Sequence, residues 1–368
     1  MSNYHDLPEH GGDIYQAARR LGIKADSIHD LSTNANEFAR YLTKGLVDET
    51  PYPFDRYPDP DSLTLRELIA RHEGVHPENI LVGNGSSELI FLTLQALRPT
   101  SVLLIGPIFM EYARACEALK IPYSLLALPP ESGFNFGRAE LTALWHCRAE
   151  LAILCTPNNP TGVSFENLPV LLEALPCQRL LTDNTYREFL WDEPAYGDHC
   201  WRAYQRYLRP GTSAACLNSF TKFFNCAGIR LGYVTGDRTL INQMAALRAP
   251  WTVSAFAQEL GCKFLDRIDD FRAVLPELRF ERGRMIESLL ETGLFSEELV
   301  FPGPSFITLG LRHGVSAMAL KQHLLKWHVL IRVCDNIPGM PPNFVRIQVR
   351  PENQLEPLWD GLHTWNKF

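Results

Sequence analysis

The stretch Leu-Asn-Ser-Phe-Thr-Lys-Phe-Phe-Asn-Cys-Ala-Gly-Ile-Arg-Leu-Gly-Tyr occupies residues 217–233 and decides how the whole chain is interpreted. It places Lys222 between two small hydroxyl residues and among aromatic side chains, and Arg230 follows within the same apolar segment. Loss of water around an ammonium group lowers its pKa, and such a lysine becomes a nucleophile toward an aldehyde. The alternative is a solvated lysine on a turn, so the surrounding motifs have to decide.

Three further motifs precede this stretch, and each follows or ends a short apolar run. They are Gly-Asn-Gly-Ser-Ser-Glu at residues 83–88, Thr-Pro-Asn-Asn-Pro-Thr-Gly at 156–162 and Leu-Leu-Thr-Asp-Asn-Thr-Tyr at 180–186. The first leads from a predicted strand into a predicted helix, whose free N–H groups and positive dipole end favour a phosphate. It lacks the Gly-Lys-Ser/Thr ending of a Walker loop, and a plain capped turn is the alternative.

Together these motifs resemble the fold-type I pyridoxal phosphate (PLP) enzymes of the aspartate aminotransferase superfamily, over nearly the whole chain. The likeness is closest to the histidinol-phosphate aminotransferase branch and, within it, to the threonine-phosphate decarboxylases of cobalamin biosynthesis. It implies an α/β fold with a mostly parallel central sheet, flanking helices and a small α+β domain. It also implies pyridoxal 5'-phosphate as the cofactor.

The resemblance assigns cofactor roles to individual residues. Lys222 is expected to bond to the cofactor aldehyde and to act as the catalytic group. Asp183, at a predicted strand end, is expected to keep the pyridine nitrogen protonated, which makes the ring an electron sink. Phe109 is expected to stack on the ring, while Asn159 and Tyr186 share its phenolate oxygen. The remaining cofactor residues are Gly85, Ser86, Ser87, Ser219, Thr221 and Arg230.

Tyr57 has a different expected role, because the matching tyrosine of the family crosses to the neighbouring subunit and contacts its cofactor phosphate. The resemblance therefore implies a homodimer. Without it, Tyr57 would be interpreted as a core or surface residue beside the proline-fixed turn at residues 56–60.

Three arginines near the carboxyl end are candidates for a substrate that carries two anions. Guanidinium groups bind carboxylates and phosphates through paired hydrogen bonds. The resemblance assigns Arg346 to the substrate carboxylate and Arg332 to the substrate phosphate, and Arg350 is less defined. Further substrate candidates are His10, in His-Gly-Gly, and Asn34. Solvated strand charges are the alternative for the arginines.

The predicted organisation has three parts: an N-terminal arm that joins the small domain (1–50), a large PLP-binding domain (51–290) and a small C-terminal domain (291–368). The Pro-Gly-Pro turn at 302–304 is expected to open the last sheet. Predicted helices cover 14–21, 62–72 with Ser62 as N-cap, and much of 255–291. Predicted strands cover 102–106, 151–155, 180–182, 306–311, 329–333 and 344–349.

Composition narrows the class of protein. The chain has 368 residues, 46% hydrophobic and 21% charged, with a formal net charge of −7. This charge argues against a nucleic-acid partner. Its nine cysteines lack Cys-x-x-Cys or zinc spacing, so no metal site is predicted.

The apolar runs of the sequence fall short of the roughly 18–20 residues that cross a bilayer. The polar start, residues 1–6, is not a signal peptide, so the cytoplasm is the expected location.

Two reactions fit this scaffold, and the sequence favours one of them. The His-Gly-Gly arm, Pro-Trp-Thr-Val-Ser at 250–254 and the segment 330–339 resemble threonine-phosphate decarboxylases more than aminotransferases. The predicted reaction is decarboxylation of threonine O-3-phosphate to 1-aminopropan-2-yl phosphate, with serine phosphate as an open alternative substrate. A histidinol-phosphate type aminotransferase is the alternative enzyme, because the Asn-Tyr/Phe expected after Pro302-Gly303 is missing.

A third interpretation is a regulator or an inactive homologue. The chain has no spare length for a DNA-binding extension, and Lys222, Asp183 and Arg230 are all present, which argues against it. One departure remains, since Asn184 and Thr185 replace the Glu and Ala usual in the family. This exchange is expected to alter contacts behind the cofactor residues.

Overall fold

The computed structural model describes residues 10–165 and 168–365. The prediction about the first six residues therefore lies outside the described part. The strands are β1 His29–Asp30, β2 Ile80–Gly83, β3 Val102–Gly106, β4 Tyr123–Ala127, β5 Leu151–Cys155, β6 Arg179–Asp183, β7 Ser213–Ser219, β8 Gly232–Gly236, β9 Phe295–Pro302, β10 Phe306–Leu311, β11 Val329–Leu330, β12 Arg332–Val333 and β13 Phe344–Gln348.

The α-helices connect and cover these strands. They are α1 Ile14–Leu21, α2 Arg40–Asp48, α3 Leu63–Glu73, α4 Gly85–Leu97, α5 Glu111–Ala118, α6 Arg138–His146, α7 Leu168–Ala174, α8 Trp201–Tyr207, α9 Phe220–Phe223, α10 Arg238–Leu247, α11 Ala255–Asp266, α12 Ile268–Arg272, α13 Leu275–Glu291, α14 Ala317–Leu325 and α15 Glu356–Trp365. None of these helices, within the described residues, is both long and apolar enough to cross a bilayer.

A seven-stranded sheet forms the centre of the molecule, in the order β2-β8-β7-β6-β5-β3-β4. β7, β6, β5, β3 and β4 run parallel, and β8 is antiparallel to both of its neighbours. Every residue of β5 is buried, and its alternate side chains pack on opposite faces: Ile153 joins one hydrophobic cluster and Leu154 the other. Such runs are typical of parallel strands covered by helices on both faces. The predicted mostly parallel sheet is confirmed.

A second, antiparallel sheet of four strands has the order β12-β13-β10-β9. The N-terminal arm returns to this part of the molecule. His29 of β1 pairs in parallel with Val329 of β11, and the Gln348 N–H donates to the Leu31 carbonyl at 2.8 Å. The arm is thus fixed to the strands that carry the predicted substrate arginines.

Two predicted elements need correction. The helix predicted from Ser62 begins at Leu63, and the Ser62 side chain makes no capping hydrogen bond because its backbone has a φ of 48°. The Asp59 carboxylate caps the helix instead and accepts from the Leu63 N–H at 2.7 Å. The strand predicted at 329–333 is split at Ile331, because its two halves pair with different sheets.

Two further boundaries also differ from the prediction. The turn at 302–304 does not open the second sheet, since β9 starts at Phe295 and the turn joins it to β10. The helical region after Ala255 consists of three helices with breaks near Arg267 and Val274.

Candidate active site

A cavity of about 440 Å³ lies where the carboxyl ends of the parallel strands face the arm and the second sheet. Ligands of open α/β sheets bind at this edge. Most of the predicted cofactor residues line the cavity: Ser86, Ser87, Phe109, Asn159, Asp183, Tyr186, Ser219, Thr221, Lys222 and Arg230. Four of the predicted substrate residues line it as well: His10, Asn34, Arg332 and Arg346.

Lys222 reaches the cavity from α9, the single turn of helix that follows β7. Ser219 begins this turn, accepting from the Thr221 N–H at 3.3 Å, and the two hydroxyl oxygens are 2.8 Å apart. Burial lowers the pKa of the Lys222 amine to about 8, and the positive charges of Arg346 and Arg230 add to this effect. The amine is therefore deprotonated far more readily than an ordinary lysine, as a nucleophile toward an aldehyde requires.

Asp183 is a buried carboxylate at the end of β6. Burial raises its pKa, while the Thr185 and Tyr112 hydrogen bonds act in the opposite direction. The Tyr112 O–H donates to Oδ2 at 2.9 Å, and the Thr185 N–H donates to Oδ1 at 3.0 Å. These donors hold the carboxylate in place and favour its charged form.

The replacement of Glu and Ala by Asn184 and Thr185 has a structural outcome. The Asn184 amide donates to the His199 carbonyl at 2.7 Å and to the Tyr204 oxygen at 3.0 Å. Asn184 therefore fixes the loop after β6 to the protein interior, and the Thr185 backbone N–H donates to the Asp183 carboxylate.

The start of α4 forms a cradle suited to a phosphate. Gly85 opens the helix with a φ of +77°, and a Cβ at this position would lie 2.5 Å from Nη2 of Arg230. Only glycine leaves room there for the guanidinium. Ser86 and Ser87 follow in the first turn and line the cavity. A helix N-terminus beside an arginine attracts an anion through backbone N–H groups and through charge.

Arg332 and Arg346 stand directly opposite each other on β12 and β13. Cross-strand partners project to the same face of a sheet, and both side chains line the cavity although only 5% and 6% of their residue surfaces are exposed. Arg346 donates to the Asn159 side-chain oxygen and to the Ser32 carbonyl. Among the described residues, no carboxylate forms an ion pair with Arg346. This buried cation therefore suits a ligand carboxylate.

Asn34 also lines the cavity and contacts one of the predicted cofactor residues, Tyr186. Its amide donates to the Tyr186 oxygen at 2.8 Å, so the Tyr186 proton is left for another partner. The sequence pattern linked Asn34 only to the substrate.

Three predicted residues are not among those that line the cavity. The first, Gly85, makes room for the Arg230 guanidinium at the start of α4 instead. Tyr57 is 78% exposed and stacks on Trp251, with ring centroids 4.7 Å apart. Its expected contact lies in a partner subunit, and this remains a prediction. Arg350 is also absent from the cavity lining; it forms an ion pair with Glu37 at 3.2 Å and donates to Gln354 at 3.0 Å. The structure does not bring Arg350 together with the other substrate residues.

The sequence analysis missed several residues that the fold brings to the site. Glu111 and Arg114 line the cavity, and Tyr112 contacts Asp183 from behind it. All three follow Phe109, so the signal available was a charged and aromatic cluster directly after a predicted ring contact. Ser32 also lines the cavity, beside the predicted Asn34.

The charge of the cavity is unbalanced. The described residues that line it include five cationic side chains but only two carboxylates. The cations are Lys222, Arg114, Arg230, Arg332 and Arg346, and the carboxylates are Glu111 and Asp183. A site of this kind suits a ligand set with several negative charges.

Comparisons with known proteins match this chain over most of its length. The family model "Aminotransferase class I and II" matches residues 28–362. The chain is 33% identical to a threonine-phosphate decarboxylase of Salmonella typhimurium, over 96% of each chain. It is 28% identical to a histidinol-phosphate aminotransferase of Roseiflexus castenholzii, over 94% of this chain and 91% of that protein.

A solved structure gives the same fold. The L-threonine-O-3-phosphate decarboxylase of Porphyromonas gingivalis superposes with a TM-score of 0.73 at 23% sequence identity, over 92% of this chain and 99% of that chain. This similarity supports the fold alone.

The chain therefore belongs to the class I and II aminotransferase family. It is a fold-type I enzyme that depends on pyridoxal 5'-phosphate. The predicted family, fold and cofactor are confirmed. The structure fits this cofactor, because a cradle for a phosphate, a lysine with a lowered pKa and a buried carboxylate line one cavity.

Proposed function

We propose that the protein decarboxylates threonine O-3-phosphate to 1-aminopropan-2-yl phosphate, a step of cobalamin side-chain biosynthesis. The observation that carries the proposal is the buried pair Arg332 and Arg346 on one wall of the cavity that holds Lys222. A substrate with a carboxylate and a phosphate offers one anion to each guanidinium. The relative named threonine-phosphate decarboxylase, 33% identical, adds support from sequence.

Each residue has a role in this proposal. When bound, the cofactor accepts the electron pair of the bond that breaks at Cα. Asp183 holds the pyridine end, and the α4 cradle with Arg230 holds the cofactor phosphate. Arg346 orients the substrate carboxylate, which leaves as CO₂. Lys222, with its pKa near 8, then returns a proton to Cα.

The aminotransferase alternative keeps the same residues but changes what Lys222 does. In that reaction Lys222 removes the Cα proton and the carboxylate stays on the amino-acid donor. The 28% identity to a histidinol-phosphate aminotransferase favours keeping this candidate. Histidinol phosphate carries no carboxylate, so Arg346 would serve only the amino-acid donor.

Product analysis separates the two reactions. The protein, loaded with pyridoxal 5'-phosphate, is incubated with O-phospho-L-threonine. We expect CO₂ and aminopropanol phosphate in equal amounts, without keto acid. Keto acid without CO₂, or conversion of histidinol phosphate with an amino acceptor, would establish the aminotransferase instead. A parallel incubation with O-phospho-L-serine measures how much the substrate methyl group contributes, about 1–3 kcal/mol for one such group.

We also propose that the protein is a homodimer. Tyr57 is exposed and stacks on the exposed ring of Trp251, and Tyr52 and Phe54, which precede it closely in the chain, are exposed as well. The main chain beside Tyr57 is held in place, since Arg248 donates to the Pro60 carbonyl at 2.7 Å. Fixed, exposed aromatic patches mark interaction surfaces. In the dimer, Tyr57 contacts the cofactor phosphate of the other subunit.

Hybrid dimers test this contact. Lys222→Ala and Tyr57→Phe are each expected to lower activity, and the two variants are mixed and allowed to exchange subunits. One of the two sites in a hybrid then has an intact Lys222 and a native Tyr57 from the other subunit. We expect activity to return in the mixture. A fully active monomer at the assay concentration contradicts the proposal.

The proposal also covers the domain boundaries and the cellular location. We place the domain boundaries near residues 50 and 290, which is supported by the return of β1 to β11 and by the start of β9 at Phe295. We further propose a cytoplasmic location, to which a phosphorylated metabolite and a net charge of −7 are suited.

A further inference from the structure

A buried carboxylate lies where the N-terminal arm crosses the cavity. The Glu111 side chain is 7% exposed, and its Oε1 is 3.1 Å from Nε2 of His10. Arg114, one helical turn further along α5, donates from Nη1 to Oε1 at 3.1 Å and to Oε2 at 3.3 Å. All three residues line the same cavity.

We propose that Glu111 is a positioning residue that fixes the His10 imidazole so that Nδ1 is directed to the substrate phosphate. This inference rests on the proposed function, because it takes His10 as a phosphate contact. Arg114 balances the charge of Glu111 without taking the place of His10.

The hydrogen-bonding capacity of the two groups carries the argument. Burial alone raises the pKa of the Glu111 carboxyl, but the hydrogen bonds from His10 and Arg114 outweigh it and lower this pKa below its usual value. An ionised carboxylate only accepts hydrogen bonds. The proton facing Glu111 must therefore sit on Nε2 of His10. Nδ1 has no hydrogen-bond partner among the described residues and is the nitrogen left for a ligand. Because phosphate oxygens accept hydrogen bonds, this contact forms when Nδ1 also carries a proton or when the phosphate oxygen that faces it does. Carboxylates orient metal-binding histidines in the same way.

The backbone of the arm directly after His10 is held by contacts with Ser32. The Gly12 N–H donates to the Ser32 Oγ at 2.7 Å, and Ser32 in turn donates to Asp30 at 2.6 Å. Gly11 packs so closely that a Cβ there would lie 2.2 Å from the Ser32 carbonyl oxygen. The main chain is thus fixed by Ser32, while the orientation of the imidazole ring depends on Glu111.

This arrangement links the two ends of the substrate. Glu111 comes two residues after Phe109, the predicted ring contact, so α5 sets the distance between the cofactor ring and His10. The centroids of the Phe109 and His10 rings are 6.3 Å apart. We therefore assign Glu111 a part in selecting substrates whose phosphate lies at the right distance from Cα.

A double-mutant cycle tests the inference. Glu111→Ala, His10→Ala and the double variant are compared through KM and kcat for O-phospho-L-threonine, and Glu111→Gln serves as the variant that keeps the side-chain shape. We expect Glu111→Ala to raise KM by about 10-fold with kcat nearly unchanged, by analogy with the lower end of the loss seen when carboxylates that orient metal-binding histidines are removed. The double variant is expected to equal His10→Ala, because Glu111 acts through His10. Additive losses would overturn the inference.

A matched control and a direct readout complete the test. Glu117→Ala removes an exposed carboxylate from the same helix, where it accepts from Tyr123 at 2.9 Å, and is expected to leave KM unchanged. Long-range ¹H–¹⁵N spectra of the cofactor-free protein report which ring nitrogen of His10 carries the proton, and the His10→Ala spectrum identifies the signal. We expect Glu111→Ala to shift this signal away from the Nε2–H form. An unchanged signal contradicts the proposed role of Glu111.

The outcomes also separate this inference from the proposed function. If His10→Ala leaves the preference for phosphorylated over unphosphorylated threonine unchanged, the phosphate assignment itself fails. If His10→Ala weakens that preference while both Glu111 variants behave as the unaltered protein does, only the role of Glu111 is wrong.

Discussion

The two walls of the cavity are built in different ways. The cofactor wall comes from strand ends of one sheet, since Asp183 is the last residue of β6 and Lys222 lies shortly after the neighbouring parallel strand β7. The substrate wall combines the arm, β12 and β13, and its arginines meet only through the pairing of two short strands. Motifs contiguous in sequence make the first wall, whereas long-range pairing makes the second.

This difference shows where sequence patterns are informative. Parallel strand ends converge at one edge of a sheet, so a polar residue after a buried strand can be placed without further knowledge. A strand of two residues, such as β12, is too short to show a hydrophobic period, so its sequence does not indicate which strand it pairs with. Arg350, two residues beyond β13, illustrates the consequence, because it was a substrate candidate together with Arg332 but does not line the cavity.

Removal of Lys222 is expected to have the largest effect, because its proposed roles are both the covalent link to the cofactor and the transfer of a proton to Cα. Lys222→Ala should lose the visible absorbance of the linked cofactor, and turnover should fall by about 100-fold or more. Borohydride trapping followed by peptide mapping checks the site of attachment. Trapped cofactor on another lysine of the unaltered protein would refute the assignment.

The substrate wall is tested next at Arg332. Loss of one partner from a buried charge pair costs about 2–5 kcal/mol, so Arg332→Ala should lower kcat/KM for O-phospho-L-threonine by roughly 30-fold or more. Unphosphorylated threonine should be little affected, which confines the effect to the phosphate. Arg350→Ala is the matched control, and an equal loss in this variant would remove the distinction between the two arginines.

Tyr112 sharpens the comparison, because it belongs to the cofactor wall yet was not assigned from sequence. Tyr112→Phe removes a donor from the buried Asp183 carboxylate, and a hydrogen bond to a charged group contributes about 1.5–3 kcal/mol. The pKa of Asp183, already raised by burial, should rise further. We expect weaker binding of pyridoxal 5'-phosphate to the cofactor-free protein, measured by fluorescence titration.

A buried tyrosine elsewhere controls for loss of the hydroxyl itself. Tyr204 is fully buried and bonds to Asn184 rather than to Asp183. Tyr204→Phe is expected to change cofactor affinity less than Tyr112→Phe. Equal losses in both variants would indicate a general effect of packing.

The smallest expected effect concerns the pH at which the Lys222 amine loses its proton. It connects the two walls, because the pKa of Lys222 in the cofactor wall is lowered by Arg346 of the substrate wall. Burial and Arg346 lower the pKa of Lys222 to about 8, so the cofactor-free protein should react with an aldehyde reagent increasingly as the pH rises through 8. Below this pH the amine is protonated and unreactive. Because the unfolded chain holds this proton up to higher pH, the stability of the cofactor-free protein should also rise above pH 8.

Arg346 supplies the test of that connection. Arg346→Gln removes a neighbouring positive charge, so the midpoint of Lys222 labelling should move to higher pH. Arg350→Gln should leave the midpoint in place, since Arg350 is not among the charges that shift this pKa. Labelling of Lys222, followed by mass spectrometry over a pH series, gives both midpoints. An unmoved midpoint in Arg346→Gln would show that Arg346 does not contribute to the lowered pKa of Lys222.

Much of the fold and most of the cofactor wall could be predicted from sequence. The apolar runs that became β3 and β5 have the predicted bounds, because strands buried on both faces have to be apolar throughout. The start of α3 could not be predicted in the same way, since Ser62 and Asp59 were both suitable caps. The backbone conformation of the turn gave the hydrogen bond to Asp59.

The sequence alone determined the family, the cofactor and the positions of Lys222 and Asp183, because these depend on local motifs attached to strand ends. Tertiary structure decided which charged side chains share the cavity. It paired Arg332 with Arg346, excluded Arg350, and brought His10 to Glu111 across 101 positions of the chain. The physical reason is that strand pairing and the return of the arm depend on contacts between residues far apart in sequence, which no local pattern specifies.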